Sequence, residues 1–255
     1  HTLVANFNDL DSVASHFEAQ GDQIAAVITE PVCGNMGCIP PESGFLEGLR
    51  TICDDYGALL VFDEVMTGFR VALGGAQERY NVRPDLTTLG KVIGGGLPVG
   101  AYGGREDLMR MIAPDGQVYQ AGTLSGNPLA VAAGRTTLGI LESNPDIFSE
   151  LEGTGRTLGL GLEALGREYG VPIRWQSSGG MGCPFFSETP VTDWQSSAAT
   201  DSQAFNRFFH GMLQRDIHLP PSRFEAWFWS TAHSTTDIDR TLTSAKDILA
   251  GGLDA

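Results

Sequence analysis

The chain has 255 residues, 42% of them hydrophobic, which is enough to bury one large core or two modest ones. Its net charge of -15 excludes nucleic acid and anionic membrane surfaces as natural partners, because both repel it at long range, and leaves a small polar metabolite as the expected ligand. No apolar run reaches the roughly 20 residues that span a bilayer, and His1-Thr2-Leu3-Val4 lacks the basic and apolar regions of a signal peptide, so the expected location is cytoplasmic.

In chain order, residues 24–29 and 58–62 read as strands, with helical periodicity over residues 44–56 between them, and residues 86–89 form a third short strand. Short apolar runs alternating with helical stretches are the pattern of βα units around a mainly parallel sheet, an α/β fold. Glu30 follows the first strand, Asp63 and Glu64 end the second, and Gly90-Lys91 follow the third. In open α/β sheets the ligand crevice lies beyond the carboxyl ends of the strands, which makes these residues site candidates, Asp63 foremost among the acids. Val92-Ile93-Gly94-Gly95-Gly96-Leu97-Pro98 is a loop where backbone approaches a ligand closely. Gly122-Thr123-Leu124-Ser125-Gly126-Asn127-Pro128 is a second such loop, leading into a predicted helix over residues 129–141 whose first amides are candidate phosphate donors.

After Ser143-Asn144-Pro145 the pattern changes to an amphipathic helix over residues 147–169, short strands near Ile173 and over residues 183–186, and helices over residues 204–214 and 236–249. Residues 187–202, rich in Ser and Thr, read as a mobile loop. The predicted boundary lies near position 140, dividing the chain into domains 1–139 and 140–255. Cys33, Cys38, Cys53 and Cys183 lack disulfide-scaffold density and paired zinc spacing and are read as free, buried thiols. The five histidines are scattered, and no metal is expected.

A carboxylate at one strand end, a lysine at the next and a glycine-rich phosphate candidate further on together match the needs of pyridoxal phosphate. That cofactor takes a lysine for its imine, an anion beside its ring nitrogen, and amides or hydroxyls for its phosphate. The segments Glu30-Pro31-Val32-Cys33-Gly34-Asn35-Met36-Gly37, Phe62-Asp63-Glu64-Val65-Met66-Thr67-Gly68-Phe69-Arg70 and Thr87-Thr88-Leu89-Gly90-Lys91-Val92-Ile93-Gly94-Gly95-Gly96-Leu97-Pro98 resemble the class III aminotransferases. Within that class, Asn35-Met36, the run from Arg70 to Gln77 and the run from Gln120 to Pro128 resemble the glutamate-1-semialdehyde aminomutases.

The resemblance implies the type I fold of pyridoxal-phosphate-dependent transferases. Residues 1–139 would form the C-terminal part of the large mainly parallel-sheet domain, and residues 140–255 the small α+β domain. It implies pyridoxal 5'-phosphate and pyridoxamine 5'-phosphate as cofactor forms, and intramolecular amino transfer from glutamate-1-semialdehyde to 5-aminolevulinate as the reaction. Lys91 would be the Schiff-base lysine and proton shuttle, Asp63 the partner of the ring nitrogen, and Val65 the residue packed on the ring face. Asn35 and Glu30 would lie near cofactor or substrate, and Gly122 and Thr123 would reach the neighbouring subunit's phosphate in a homodimer with shared sites. Glu225, in Phe224-Glu225-Ala226, would meet the substrate's amino group, while Arg223 departs from the family pattern and offers a carboxylate anchor instead. The family's chain begins well before the equivalent of His1, so the expectation is an N-terminal segment carried elsewhere, on a longer polypeptide or a separate chain. Two other readings stay open: an ordinary class III transaminase using an external amino acceptor, and a catalytically incomplete subunit.

Overall fold

Burial alternates along Leu59–Asp63, with Leu60 and Phe62 fully buried and their neighbours half-buried, the period-2 pattern of a strand with one face on a core. In the computed structural model, which describes residues 2–252, this strand is the centre of the first of two compact units, His1–Pro31 with Glu42–Pro145; the second is Val32–Pro41 with Asp146–Ala255. The sequence reading drew one boundary near 140; the units divide at Pro145, and residues 32–41 go with the second of them.

The first unit runs α1 (Leu10–Gln20), β1 (Ala26–Thr29), α2 (Phe45–Tyr56), β2 (Leu59–Asp63), α3 (Gly75–Tyr80), β3 (Leu86–Leu89), β4 (Ala101–Gly104), α4 (Glu106–Met109) and α5 (Pro128–Ser143). Its sheet has the order β1-β2-β3-β4, the first three strands parallel and β4 antiparallel. The Asp9 carboxylate caps α1 by accepting from the Ser12 amide. Val13 and Phe17 of α1 and Leu46, Leu49 and Cys53 of α2 pack with Leu60 and Phe62 in one core. Each fully buried Leu or Phe there contributes about 2 kcal/mol. Asp85, just before β3, accepts from the Leu60 amide at 2.7 Å and pairs with Arg50 and Arg105, both at 2.8 Å, tying α2, β2, β3 and β4 together.

The second unit runs α6 (Asp146–Tyr169), β5 (Ile173–Ser178), β6 (Met181–Phe186), α7 (Trp194–Ala198), α8 (Ser202–Leu213), β7 (Trp227–Phe228) and α9 (Thr235–Ala250), with an antiparallel sheet in the order β5-β6-β7. Every residue of β6 is buried. Trp175 lies 5.9 Å from both Trp227 and Trp229, ring centroid to centroid. Residues 32–41 close on themselves through a Cys33–Ile39 bridge and attach through a 3.0 Å hydrogen bond from the Cys38 amide to the Cys183 Sγ. All four cysteines are buried and outside any disulfide; burial pushes the Cys53 thiol up to about 11 and the Cys183 thiol up to about 12.

The predicted strands and long helices of the sequence analysis are present, but the expectation of a mobile loop over residues 187–202 is corrected. That stretch holds α7, whose Asp193 and Ser196 form a reciprocal capping box, and it buries Val191, Ser197 and Thr200.

Candidate active site

Because β1, β2 and β3 run parallel, their carboxyl ends face one way, and the three candidates that follow them share one edge of the sheet. Glu30 follows β1, Asp63 ends β2, and Lys91 stands two residues beyond β3. Register places Thr88 of β3 opposite Asp63. The Asp63 Oδ1 accepts from the Thr88 hydroxyl at 3.1 Å and from the Val65 amide at 3.0 Å, which fixes the carboxylate's direction. Its Oδ2 accepts no hydrogen bond from the described residues. Thr88 was missed as a site residue; pairing the predicted strands in parallel would have pointed to it.

Lys91 opens a 3-10 turn, Lys91–Gly94, with φ of +47°, in the left-handed region that a side chain makes costly by about 1–2 kcal/mol. Its side chain is exposed and makes no hydrogen bond or ion pair among the described residues. Val65 reaches the same spot: a Cβ added at Gly90 would stand 3.2 Å from its Cγ1.

Glu64, beside Asp63, has a different job. It is 1% exposed, and its carboxylate accepts from the Thr67 hydroxyl (2.9 Å), the Ala76 amide (2.6 Å), and both the amide (3.3 Å) and the side chain (3.0 Å) of Gln77. It thus pins the loop between β2 and α3. Gly75, at φ +69°, lies so close to the Glu64 Oε2 that no side chain fits there. A cavity of about 290 Å³ beyond Glu64 is lined by Phe69, Gln77, Arg83, Thr87 and Arg105 among others, and includes neither Asp63 nor Lys91.

The predicted phosphate role of the α5 N-terminus is corrected. Pro128 has no N–H, the Asn127 side chain accepts from the amides of Leu129 (3.0 Å) and Ala130 (3.2 Å), and the Asn127 carbonyl accepts from Val131. The first turn offers no open donor. Gly122 and Thr123 lie in the exposed loop before it, and the Thr123 hydroxyl is without a partner among the described residues.

Asn35, Arg223 and Glu225 belong to the second unit. There the backbone forms a clamp: the Gly37 amide donates to the Phe224 carbonyl at 2.7 Å, and the Ala226 amide to the Gly34 carbonyl at 3.4 Å. Asn35 sits between the two donors and acceptors on one strand of the clamp and Glu225 on the other. Both are exposed, whereas Gly34, Gly37 and Ala226 are buried. Gly37, at φ +87°, presses on the Phe185 ring, so only glycine fits. The Glu225 side chain makes no bond among the described residues.

Arg223 is engaged. Its Nη1 donates to the Thr200 carbonyl and, at 2.7 Å, to the Thr200 hydroxyl; its Nη2 donates to the Ala198 carbonyl at 3.0 Å; and its guanidinium lies 4.5 Å over the Phe224 ring. Among the described residues there is no cluster of three or more His, Cys, Asp or Glu that would hold a metal, and no helix long and apolar enough to cross a membrane.

A parallel sheet offering an oriented carboxylate and a free lysine at adjacent strand ends is the arrangement of an aminotransferase-like α/β fold, and the chain belongs to the class-III aminotransferases: the family model, aminotransferase class-III, matches residues 4–218. A glutamate-1-semialdehyde 2,1-aminomutase of Desulfitobacterium hafniense is 54% identical over 248 residues, covering 97% of this chain and 57% of that protein. Among solved structures, an omega-transaminase from Sphaerobacter thermophilus superposes with a TM-score of 0.88 at 33% identity, covering 96% of this chain and 56% of that one. A glutamate-1-semialdehyde-aminomutase from Pseudomonas aeruginosa in complex with PMP has a TM-score of 0.86 at 25% identity, covering 98% and 56%. The fold is the α/β type I fold of these enzymes, and the chain spans little more than half the length of the relatives it matches.

Proposed function

We propose that this chain carries the lysine-bearing part of a pyridoxal-phosphate enzyme that moves an amino group within one molecule, converting glutamate-1-semialdehyde to 5-aminolevulinate. The observation that carries the reading is the pair at neighbouring strand ends, an Asp63 with one oxygen held and the other open, and an unpaired Lys91 on a strained turn. The 54% identity to a named aminomutase supports the substrate.

The residues fit the cofactor. The open Asp63 Oδ2 suits a protonated ring nitrogen, Val65 offers an apolar surface beside Lys91, and the exposed Gly122-Thr123 loop offers a free hydroxyl for phosphate. When bound, pyridoxal phosphate supplies an aldehyde that condenses with amines and a ring that withdraws electrons from the carbon beside the nitrogen. Lys91 Nζ would be the amine that holds the aldehyde at rest and, when released, would serve as the base beside the substrate carbon. Asp63 holds the ring nitrogen's proton, its direction set by Thr88 and the Val65 amide. Gly122 and Thr123 serve the phosphate of the adjacent protomer in a homodimer, and Glu30 and Asn35 orient cofactor and substrate.

Glu225 receives the substrate's amino group and repels a second acid, which selects against external keto acids. Two domains follow from this reading: the first unit as the C-terminal part of the large cofactor domain, the second as the small domain, in a cytoplasmic enzyme. The competing transaminase needs a carboxylate anchor, and Arg223, its candidate, has three of its five donors on the carbonyls of Ala198 and Thr200 and the Thr200 hydroxyl.

The test is turnover of glutamate-1-semialdehyde by the cofactor-loaded protein with no keto acid present. Formation of 5-aminolevulinate supports the mutase. A requirement for an external keto acid, with Arg223→Ala raising its KM and Glu225→Gln changing little, establishes the transaminase instead.

A further inference from the structure

The second unit holds a device that composition does not explain. The short helix α7 and the turn after it touch both sides of the clamp that bears Asn35 and Glu225. On one side, the Ser197 hydroxyl donates to the Met36 carbonyl at 2.7 Å, next to Asn35. On the other, Arg223 grips the carbonyls of Ala198 and Thr200, and the ring of Trp194 lies 5.0 Å from that of Phe224, next to Glu225. Phe224 therefore touches both an indole and a guanidinium.

We infer that Arg223 is a positioning residue for Glu225, a strap that fixes the α7 turn against the clamp, and not a ligand for a substrate carboxylate. The inference rests on the reading of Glu225 as the group that meets substrate. Its physical basis is the guanidinium's fixed fork, which bonds two carbonyls and a hydroxyl at once while stacking on an aromatic face. The half-buried Ala198 carbonyl and the carbonyl of buried Thr200, deprived of those donors, have to find water, and the turn opens to admit it. The loosened turn releases Met36 and Phe224, and Glu225 loses its fixed direction.

The experiment uses five proteins as holoenzymes: wild type, Arg223→Gln, Glu225→Gln, the double variant, and Arg223→Lys as the conservative replacement. Amide hydrogen exchange is followed on peptides covering residues 32–41 and 194–229. Arg223→Gln should speed exchange in both peptides by about tenfold, because the amides of Gly37 and Ala226 close the clamp. It should raise KM for glutamate-1-semialdehyde about fivefold with kcat within about twofold, and add nothing in the Glu225→Gln background. Arg223→Lys, a point charge without the fork, should recover part of the protection.

Unchanged exchange in Arg223→Gln overturns the inference, as does a KM effect of equal size in both backgrounds, which is the behaviour of a direct ligand. A silent Arg223→Gln beside an impaired Glu225→Gln sinks the positioning role alone. A silent Glu225→Gln sinks the reading of Glu225 and the inference with it.

Discussion

Replacing Asp63 by Asn separates folding from chemistry at the proposed cofactor site. The amide oxygen of Asn can still accept from the Val65 amide and the Thr88 hydroxyl, now at 3.0 and 3.1 Å from Oδ1. A neutral acceptor is about half as strong as a charged one, so the two bonds together lose about 1–2 kcal/mol, well within the roughly 5–15 kcal/mol that stabilises a domain. The strand end should keep its shape. The other oxygen, open in the native protein, becomes an NH₂, and a donor facing the ring nitrogen favours the unprotonated ring. Breaking a buried ion pair costs about 3–5 kcal/mol. Asp63 is only half-buried, so the lower figure applies, equivalent to a loss of about 10²-fold in the proton-transfer rate. The assay is single-turnover absorbance of the cofactor-loaded variant, alongside its urea midpoint. A variant that binds cofactor, unfolds within about 2 kcal/mol of wild type and turns over within about threefold of it would refute the assignment of Asp63.

Borohydride treatment of the cofactor-loaded protein should fix a phosphopyridoxyl group on Lys91, as peptide mass spectrometry would show; label on Lys246 with Lys91 unmodified contradicts the assignment. Asp85 is pushed up by burial but pulled further down by Arg105, the Leu60 amide and Arg50, so its carboxyl lies below the usual range. Its contribution is therefore complete above the unfolded value near 4 and lost as pH falls through the lower folded value; Asp85→Asn should cost about 3 kcal/mol at pH 7, and the gap from wild type should close below about pH 4. Glu64→Gln places an NH₂ among four donors and should destabilise the native protein by about 2–3 kcal/mol in urea unfolding without abolishing cofactor binding. Native protein should leave all four thiols unmodified by a disulfide reagent over minutes, since burial raises the Cys53 and Cys183 values and denies access to the rest.

The parallel strands were readable because each is a short run of β-branched and long apolar residues bounded by polar ones, and such a run has few ways to satisfy its backbone away from a sheet. Strand β4 was not, because Ala101-Tyr102-Gly103-Gly104 has little intrinsic strand preference; it exists by pairing with β3, where Tyr102 meets Thr88. Helix α1 is absent from the sequence reading, although Asp9, three residues before Ser12, is a local N-cap sign. The affiliation of residues 32–41 was beyond local reading. It depends on partners such as Cys183, Ser197 and Phe224, more than a hundred residues away along the chain.

At the site, residue type was legible and commitment was not. Lys91 and Arg223 are both cations in motif-like surroundings, and the sequence offered each a ligand. The fold separates them by what it leaves unpaired. Lys91 is held on a strained turn with no partner among the described residues, so its amine is available to react. Arg223 has three of its five donors committed to Ala198 and Thr200 and its guanidinium stacked on Phe224. The same distinction divides the adjacent acids, Asp63 with an open oxygen and Glu64 with four donors around it. Two neighbours of one charge have different partners because Asp63 is the last residue of β2, held by the adjacent strand, while Glu64 lies just beyond it and binds the loop leading to α3.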